Sequence, residues 1–315
     1  MHAFTILCPV DYSACSKRAL RYAGALAAHF GARTTVAHVA DPLLVGGAAI
    51  GQMELTGEDG RDELRSFVNQ SMVPLPERGL ELVVLMGSPA VEIVRLAEDR
   101  GADIIVMGTH GLTGMRKVFF GSTARGILRR SRIPVLAVPF TGSKEADLDA
   151  PLLTSGPVIA PIDFSPESRG ASVAAAGLAS ALGVPLVLVH VVTPPQPGTV
   201  GWEHQGAAGD RLPARDAGAM LDEFATSIDV EAAIETRLTY GGAAEEIARI
   251  ASDERASVVV MSLGSAATRG RGQLPGSVAY GVLCLAPTPI LALPETPAGR
   301  FYVAHLQPAA GVETP

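Results

Sequence analysis

DIIVMGTHGLTGMRKVFFGSTARGILRRSRIPVLAVP, residues 103–139, is the stretch from which the fold can be read. It opens with an apolar run at 104–107, of the length and β-branched content of a strand buried on both faces. Glycines follow at Gly108, Gly111, Gly114 and Gly121, and then Ser122 and Thr123. From Ala124 the pattern is helical, with Ile127 and Leu128 as apolar anchors and Arg125, Arg129 and Arg130 on the other faces. Gly126 is expected to weaken that helix slightly. A second apolar strand at 133–138 closes the unit. Strand, glycine-rich loop and helix together suit a phosphate. Glycines let backbone N–H groups approach an anion and adopt positive φ. The helix beginning near Gly121 aims its unpaired amides and positive dipole end at the same place. Ser122 and Thr123 can bond a phosphate oxygen, or one of them can act as an ordinary helix cap in a loop that binds nothing.

A chain of 315 residues, 48% hydrophobic and 18% charged, has the size of about two globular domains. No apolar run is long enough to span a membrane. The first residues enter an apolar segment without a basic leader, which argues against export. Three cysteines, Cys8, Cys15 and Cys284, have no metal-ligand spacing and cannot all pair, so a reduced, cytoplasmic protein is expected, with Cys284 as a buried small hydrophobe. The net charge of −7 disfavours nucleic acid as a partner. That charge is uneven: residues 1–145 carry 16 Lys+Arg against 14 Asp+Glu, and the remainder 9 against 18. The half with the glycine loop is the one better suited to an anion.

The chain also repeats itself. Cys8-Pro9-Val10-Asp11-Tyr12-Ser13 recurs as Ala160-Pro161-Ile162-Asp163-Phe164-Ser165, and His38-Val39 as His190-Val191, both at an offset of 152. Met86-Gly87 matches Tyr240-Gly241 at 154, and Gly121-Ser122 matches Gly276-Ser277 at 155. Landmarks in one order with slowly drifting spacing mark a tandem duplication. In the first copy strands are predicted at 4–10, 34–39, 80–86, 103–107 and 133–138, with helices at 13–30, 60–72, 89–100 and from about 122. In the second, strands fall at 157–162, 185–191, 231–240, 257–262 and 290–293, with helices at 168–182, 215–228, 243–255 and 277–285. Helices between apolar strands imply parallel sheets covered on both faces. The division is one domain over 1–140, a linker over 141–156, a second domain over 157–295 and a tail over 296–315. Gly/Pro-rich excursions at 41–58 and 194–213 have the length of lids. In the tail, Phe301, Tyr302 and Leu306 either dock on a groove or fray.

Gly108-x2-Gly111-x9-Gly121-Ser122 after a buried fourth strand resembles the nucleotide-binding signature of the universal stress protein family. The ending of strand one, Pro9-Val10-Asp11-Tyr12-Ser13, and the close Ile133-Pro134-Val135-Leu136-Ala137-Val138-Pro139 are similar to that family as well. The resemblance implies two tandem open five-stranded parallel α/β sheets of order 3-2-1-4-5, adenine nucleotide α-hydrolase-like, with helices on both faces. It implies ATP, or ADP or AMP, at the strand ends between strands one and four, the topological switch point. By the same resemblance Pro9, Val10 and Asp11 lie against the adenosine, Val39 and Met107 flank the base or ribose, and Gly108, Gly111, Gly121, Ser122 and Thr123 surround the ribose and phosphates, with His110 and Arg116 as further contacts. Mg²⁺ would enter through the phosphates. Asp11 has a structural alternative as a cap of the first helix. His38 and His190 read as structural histidines, and Arg129, Arg130 and Arg132 as a solvated face.

The second copy departs from the signature. Counting back from Gly276, the two earlier glycine positions fall at Leu263 and Ala266, where Cβ atoms would intrude. Asp163, Val191, Gly264, Gly276 and Ser277 remain for a site expected to be weaker or empty. The function expected is nucleotide binding in stress response, expressed through conformation or partners. There is no G-x4-G-K-[ST] motif and no acidic cluster placed to hold a catalytic metal, so at most slow ATP hydrolysis is expected. The alternatives are an adenylyl-transferring or ATP-hydrolysing enzyme, and a chaperone-like module that binds no nucleotide. A dinucleotide dehydrogenase would need G-x-G-x-x-G after strand one, which is absent. The fifth strands can pair edge to edge and join the sheets, so that one chain imitates a dimer; a further homodimer of chains is expected.

Overall fold

The computed structural model describes residues 3–42, 58–71, 79–109, 121–139, 153, 156–193, 214–263 and 277–294. Nearly all of the linker and of the first excursion, the whole second excursion and the tail, and the glycine-loop residues His110, Gly111, Gly114, Arg116, Gly264 and Gly276 lie outside them.

Among the described residues the first copy contains β1 (Thr5–Pro9), α1 (Ala14–Phe30), β2 (Arg33–Ala40), α2 (Glu58–Gln70), β3 (Leu80–Met86), α3 (Pro89–Asp99), β4 (Ile104–Gly108), α4 (Ser122–Arg130) and β5 (Val135–Val138). The second contains β6 (Val158–Pro161), α5 (Pro166–Leu182), β7 (Leu186–Val192), α6 (Ala214–Ser227), β8 (Ile234–Tyr240), α7 (Ala243–Asp253), β9 (Val258–Ser262), α8 (Ser277–Leu285) and β10 (Ile290–Leu293). The predicted elements are all present, with ends displaced by up to three residues. The largest displacement is at β8, which begins at Ile234 where residue 231 was expected.

Each copy has the order 3-2-1-4-5, and the two make one ten-stranded sheet, β3-β2-β1-β4-β5-β10-β9-β6-β7-β8. Every neighbouring pair is parallel except β5 and β10, which run antiparallel with Leu136 opposite Leu291 at the centre. Both joining strands are buried along their whole length. Left alone, each would offer four apolar residues and a row of unpaired amides at a sheet edge. The outer edges carry charge instead: Glu81 on β3 pairs with Arg100 at 2.7 Å, and Glu235 with Arg237 on β8 at 2.7 Å.

Alternation along the strands sends residues into two core layers. Ile6, Cys8 and Val36 meet α1 and α2, with α5 and α6 on the same side. Leu7, Ala37, Val39 and Met107 meet α3 and α4, with α7 and α8. Across the seam the His29 Nε2 lies 2.8 Å from the Ala181 carbonyl oxygen, which joins the last turns of α1 and α5. Beneath that contact a pocket of about 30 Å³ is lined by Phe4, Tyr22, Phe30, Leu136, Leu182 and Leu291. That is room for about one water, so the seam is closely packed there.

Two glycines in helix interiors have packing reasons. A Cβ on Gly126 would stand 2.6 Å from the Ala90 Cβ, and one on Gly281 would stand 2.6 Å from the Ala244 Cβ. Gly126 was expected only to weaken α4; its cost is the condition for α3 and α4 to meet. Gly126→Ala should gain about 1 kcal/mol in helix propensity and lose about 1–3 kcal/mol to overpacking against a short, immovable side chain. A lower urea midpoint with an unchanged slope is the expected result, and a stabilised protein would show that the helices can part at no cost.

Candidate functional site

Strands β1 and β2 stay paired from Thr5 with Arg33 through Pro9 with Ala37. Between β1 and β4 the register holds only at Ile6 with Ile104 and Leu7 with Ile105. Beyond Leu7 the two strands part, because their connections leave toward opposite faces of the sheet. The crevice between their C-terminal ends is where the predicted residues gather.

The turn after β1 is built from local bonds. The Val10 amide donates to the Ala37 carbonyl at 2.8 Å, and the Val10 carbonyl lies 2.9 Å from His38 Nδ1. Ser13 caps α1, its Oγ accepting from the Ser16 amide at 3.1 Å. Asp11 is therefore not the cap. Its Oδ1 accepts from the Ser13 amide at 3.1 Å and braces the turn that presents the cap. Tyr12, between them, has φ of +62°, a conformation side chains rarely adopt. Its ring lies 4.4 Å from the His38 ring and 5.3 Å from Phe67, edge on. Burial, with the nearby Glu63 charge adding, pushes the Tyr12 hydroxyl up to about 12. His38 is thus a structural residue, as expected, and the Tyr12–His38 contact is a positioning element that sequence reasoning missed. Its signal was present: an aromatic residue and a histidine recur together in the second copy, where Phe164 has φ of +64° and lies 4.8 Å from His190.

Gly108, at the end of β4, is a glycine because α1 leaves no room there. A Cβ would fall 2.7 Å from the Cys15 Sγ and 3.0 Å from the Cys15 carbonyl carbon. Thr109 donates its amide to the Val138 carbonyl at 3.0 Å, and the Gly121 amide donates back to Thr109 at 2.9 Å. Those two bonds tie the ends of the glycine loop together, so Gly121, Ser122 and Thr123 sit at the tip of β4. Gly121 is the N-cap residue of α4 and supplies no side-chain hydrogen bond to its first turn. The reading of Ser122 or Thr123 as an ordinary cap is therefore corrected: both stand inside the helix, and among the described residues no side chain caps its first turn. Val39 and Met107 are buried in the layer below, with Ala124. Pro9, Val10, Asp11, Val39, Met107, Gly108, Gly121, Ser122 and Thr123 thus come together at the crevice and the start of α4.

The second copy keeps the frame and changes its chemistry. The Leu263 amide donates to the Leu293 carbonyl at 3.1 Å, the bond that Thr109 makes with Val138. Ser262 therefore holds the place of Gly108, and the count that put Leu263 there is corrected: the extra residue lies beyond 263. Glu167 takes the place of Cys15, and Val278 that of Thr123. Asp163 is bound more tightly than Asp11, with its Oδ1 taking the Ser165 amide at 3.0 Å and the Ser165 hydroxyl as well. Arg169 closes the turn, its Nε donating to the Phe164 carbonyl at 3.2 Å and its guanidinium lying 4.9 Å above the Phe224 ring. Cys284 is half-exposed on α8, not buried as expected.

Burial alone would raise the Asp163 carboxyl, but hydrogen bonds from the Ser165 and Ser168 hydroxyls and from the Ser165 amide hold it below its ordinary value of 3.8. A lowered folded value means stability that is whole above pH 3.8 and lost as pH falls through the folded value. Ser165→Ala removes one of those bonds and also a cap worth about 1 kcal/mol at any pH. In urea melts the gap between the native protein and Ser165→Ala should be widest near neutrality and narrow toward the cap contribution in acid. A gap of constant size would remove the bond's role.

The model of the universal stress protein family matches the chain twice, at residues 3–139 and 155–294. A universal stress protein of Mycolicibacterium smegmatis is 29% identical over 91% of this chain and 96% of its own length. One from Methanocaldococcus jannaschii is 35% identical over 42% of this chain and 80% of its own. Among solved structures, a universal stress protein from Archaeoglobus fulgidus superposes with a TM-score of 0.66 at 20% identity, covering 94% of this chain and all of that one. With the duplicated 3-2-1-4-5 sheet, these matches make the chain a member of the universal stress protein family in its tandem form.

Proposed function

We propose that the first copy binds an adenine nucleotide, ATP in the first place, and that occupancy is read out through conformation or partners in a stress response. The observation that carries this reading is the uncapped start of α4, held beside Gly108 where β1 and β4 part. A phosphate there would accept from amides that nothing else in the described structure satisfies by side chain. Among the described residues the Asp11 carboxylate accepts one hydrogen bond, at Oδ1, which would leave Oδ2 for a ribose hydroxyl. Val39 and Met107 give the base an apolar floor. Gly111, His110 and Arg116, outside the described residues, complete the phosphate side by family resemblance, and Mg²⁺ would ride on the phosphates.

The second copy is proposed as a partner of the first with little or no nucleotide affinity. Glu167 brings negative charge to the place where Cys15 stands, and Val278 removes the hydroxyl of Thr123. The Ser165 hydroxyl adds a second hydrogen bond to Asp163 Oδ1, where Asp11 Oδ1 accepts one among the described residues.

The test is mass spectrometry of ligand released from purified protein, followed by titration with ATP, ADP and AMP. Binding is expected at one site per chain. Gly111→Leu and Asp11→Asn should each weaken it tenfold or more, while Ala266→Leu, in the corresponding loop of the second copy, changes little. Absence of binding at millimolar nucleotide, or equal loss from Ala266→Leu, would overturn the reading.

A further inference from the structure

Helices α4 and α8 occupy equivalent places in the two copies but turn different chemistry outward. Superposed by position, Thr123, Arg125, Arg129 and Arg130 on α4 correspond to Val278, Tyr280, Cys284 and Leu285 on α8. The three arginines are exposed, and an amphipathic helix presenting such a face to water needs no partner. On α8 the same face has no charged residue: Val278 is 39% and Leu285 52% exposed, and Tyr280 and Cys284 are half-exposed. Ala279, Val282 and Leu283 fill the buried side, so α8 is apolar on both sides. A helix apolar all round is a helix with something on both faces.

The sequence names a cover. Because α8 is the crossover between the parallel strands β9 and β10, Pro294 leaves the sheet at the edge from which α8 starts. Seven residues later comes Phe301-Tyr302-Val303-Ala304-His305-Leu306, apolar apart from one histidine. An intervening stretch of that length reaches about 23 Å, and α8, at about 1.5 Å per residue, is about 14 Å long. The first copy supplies the control within the same molecule. Where the helix face is charged, the chain that follows β5 carries Lys144, Glu145, Asp147 and Asp149. Where the helix face is apolar, the chain that follows β10 passes Glu295 and Arg300 and then carries the apolar run 301–306.

We propose that residues 301–306 of this same chain dock on the outer face of α8, over Val278 and Leu285. The contact is made within one molecule and does not depend on nucleotide in the first copy. It also shields Cys284.

Cys284 is a built-in reporter, since Cys8 and Cys15 are buried in the core. The full chain is treated with N-ethylmaleimide without denaturant, and the modified cysteine is identified by peptide mass spectrometry. The expected result is slow labelling of Cys284 that is independent of protein concentration, and at least tenfold faster labelling in Phe301→Asp/Leu306→Asp. Leu285→Asp, which alters the helix side of the contact, should speed labelling to a similar degree. Unfolding temperatures within a few degrees of the native protein, and unlabelled Cys8 and Cys15, show that the variants remain folded. Equal rates in all three proteins would overturn the proposal. So would protection that disappears on dilution, which would make a second copy the cover.

Discussion

The antiparallel pairing of β5 with β10 is the constraint on which the rest of the molecule depends. Two four-residue strands, each buried on both faces, cannot end a sheet in water; they can only be its middle. Setting Leu136 opposite Leu291 fixes where each copy lies and brings the ends of α1 and α5 within reach of the His29 contact. It also turns the two copies head to tail. The strand ends that form the crevice of the first copy therefore face one rim of the sheet, and the matching ends of the second face the opposite rim. Whatever each copy binds, the two sites cannot share a ligand.

Fold was legible in the sequence because its determinants are local and repeated. Apolar runs such as 104–107 and 133–138 need only periodicity, and the offsets near 152 and 155 give a second reading of each element. What was not legible depends on contacts between segments far apart in the chain. Gly108 looks like a loop glycine made for phosphate until the Cys15 Sγ is found 2.7 Å from where its Cβ would be. Gly126 looks like a flaw in a helix until Ala90 is found against it. Both glycines answer to packing, and only one of them also borders the crevice.

The site was legible in its residue list and less so in its roles. Asp11 could be a cap or a ligand on sequence alone; Ser13 is the cap, and Asp11 braces the turn through its Oδ1. Neither role could be separated from sequence, since Asp and Ser two residues apart serve either. The turn also depends on Tyr12 holding a left-handed backbone. A ring stacked on His38 and flanked by Phe67 offsets that cost, of the order of 1–3 kcal/mol. Single-residue reading dismissed His38 as structural, which it is, without noticing that it is structural for the turn carrying the site. The misplacement of Leu263 has a similar origin. A count from Gly276 assumes that insertions lie before the counted residues, whereas hydrogen bonds to the neighbouring strand mark the end of β9 directly.

Fusion explains why the copies could diverge. In an assembly of two identical chains, a substitution at the seam or site appears twice, and a change that suits one side is imposed on the other. Joining the copies in one chain removes that coupling while keeping the seam. The same frame then carries Gly108 and Cys15 at one rim, and Ser262 and Glu167 at the other. Arginines that keep α4 solvated give way to an apolar face on α8 without altering what lies beneath, because Ile127 and Leu128 are matched by Val282 and Leu283. The buried sides of the two helices both stay apolar against the sheet they share, while the outward sides differ in kind. The core layers changed too, as Cys8, Leu20, Tyr22 and Phe30 in the first copy stand opposite Ala160, Ser172, Ala174 and Leu182 in the second, all of them buried.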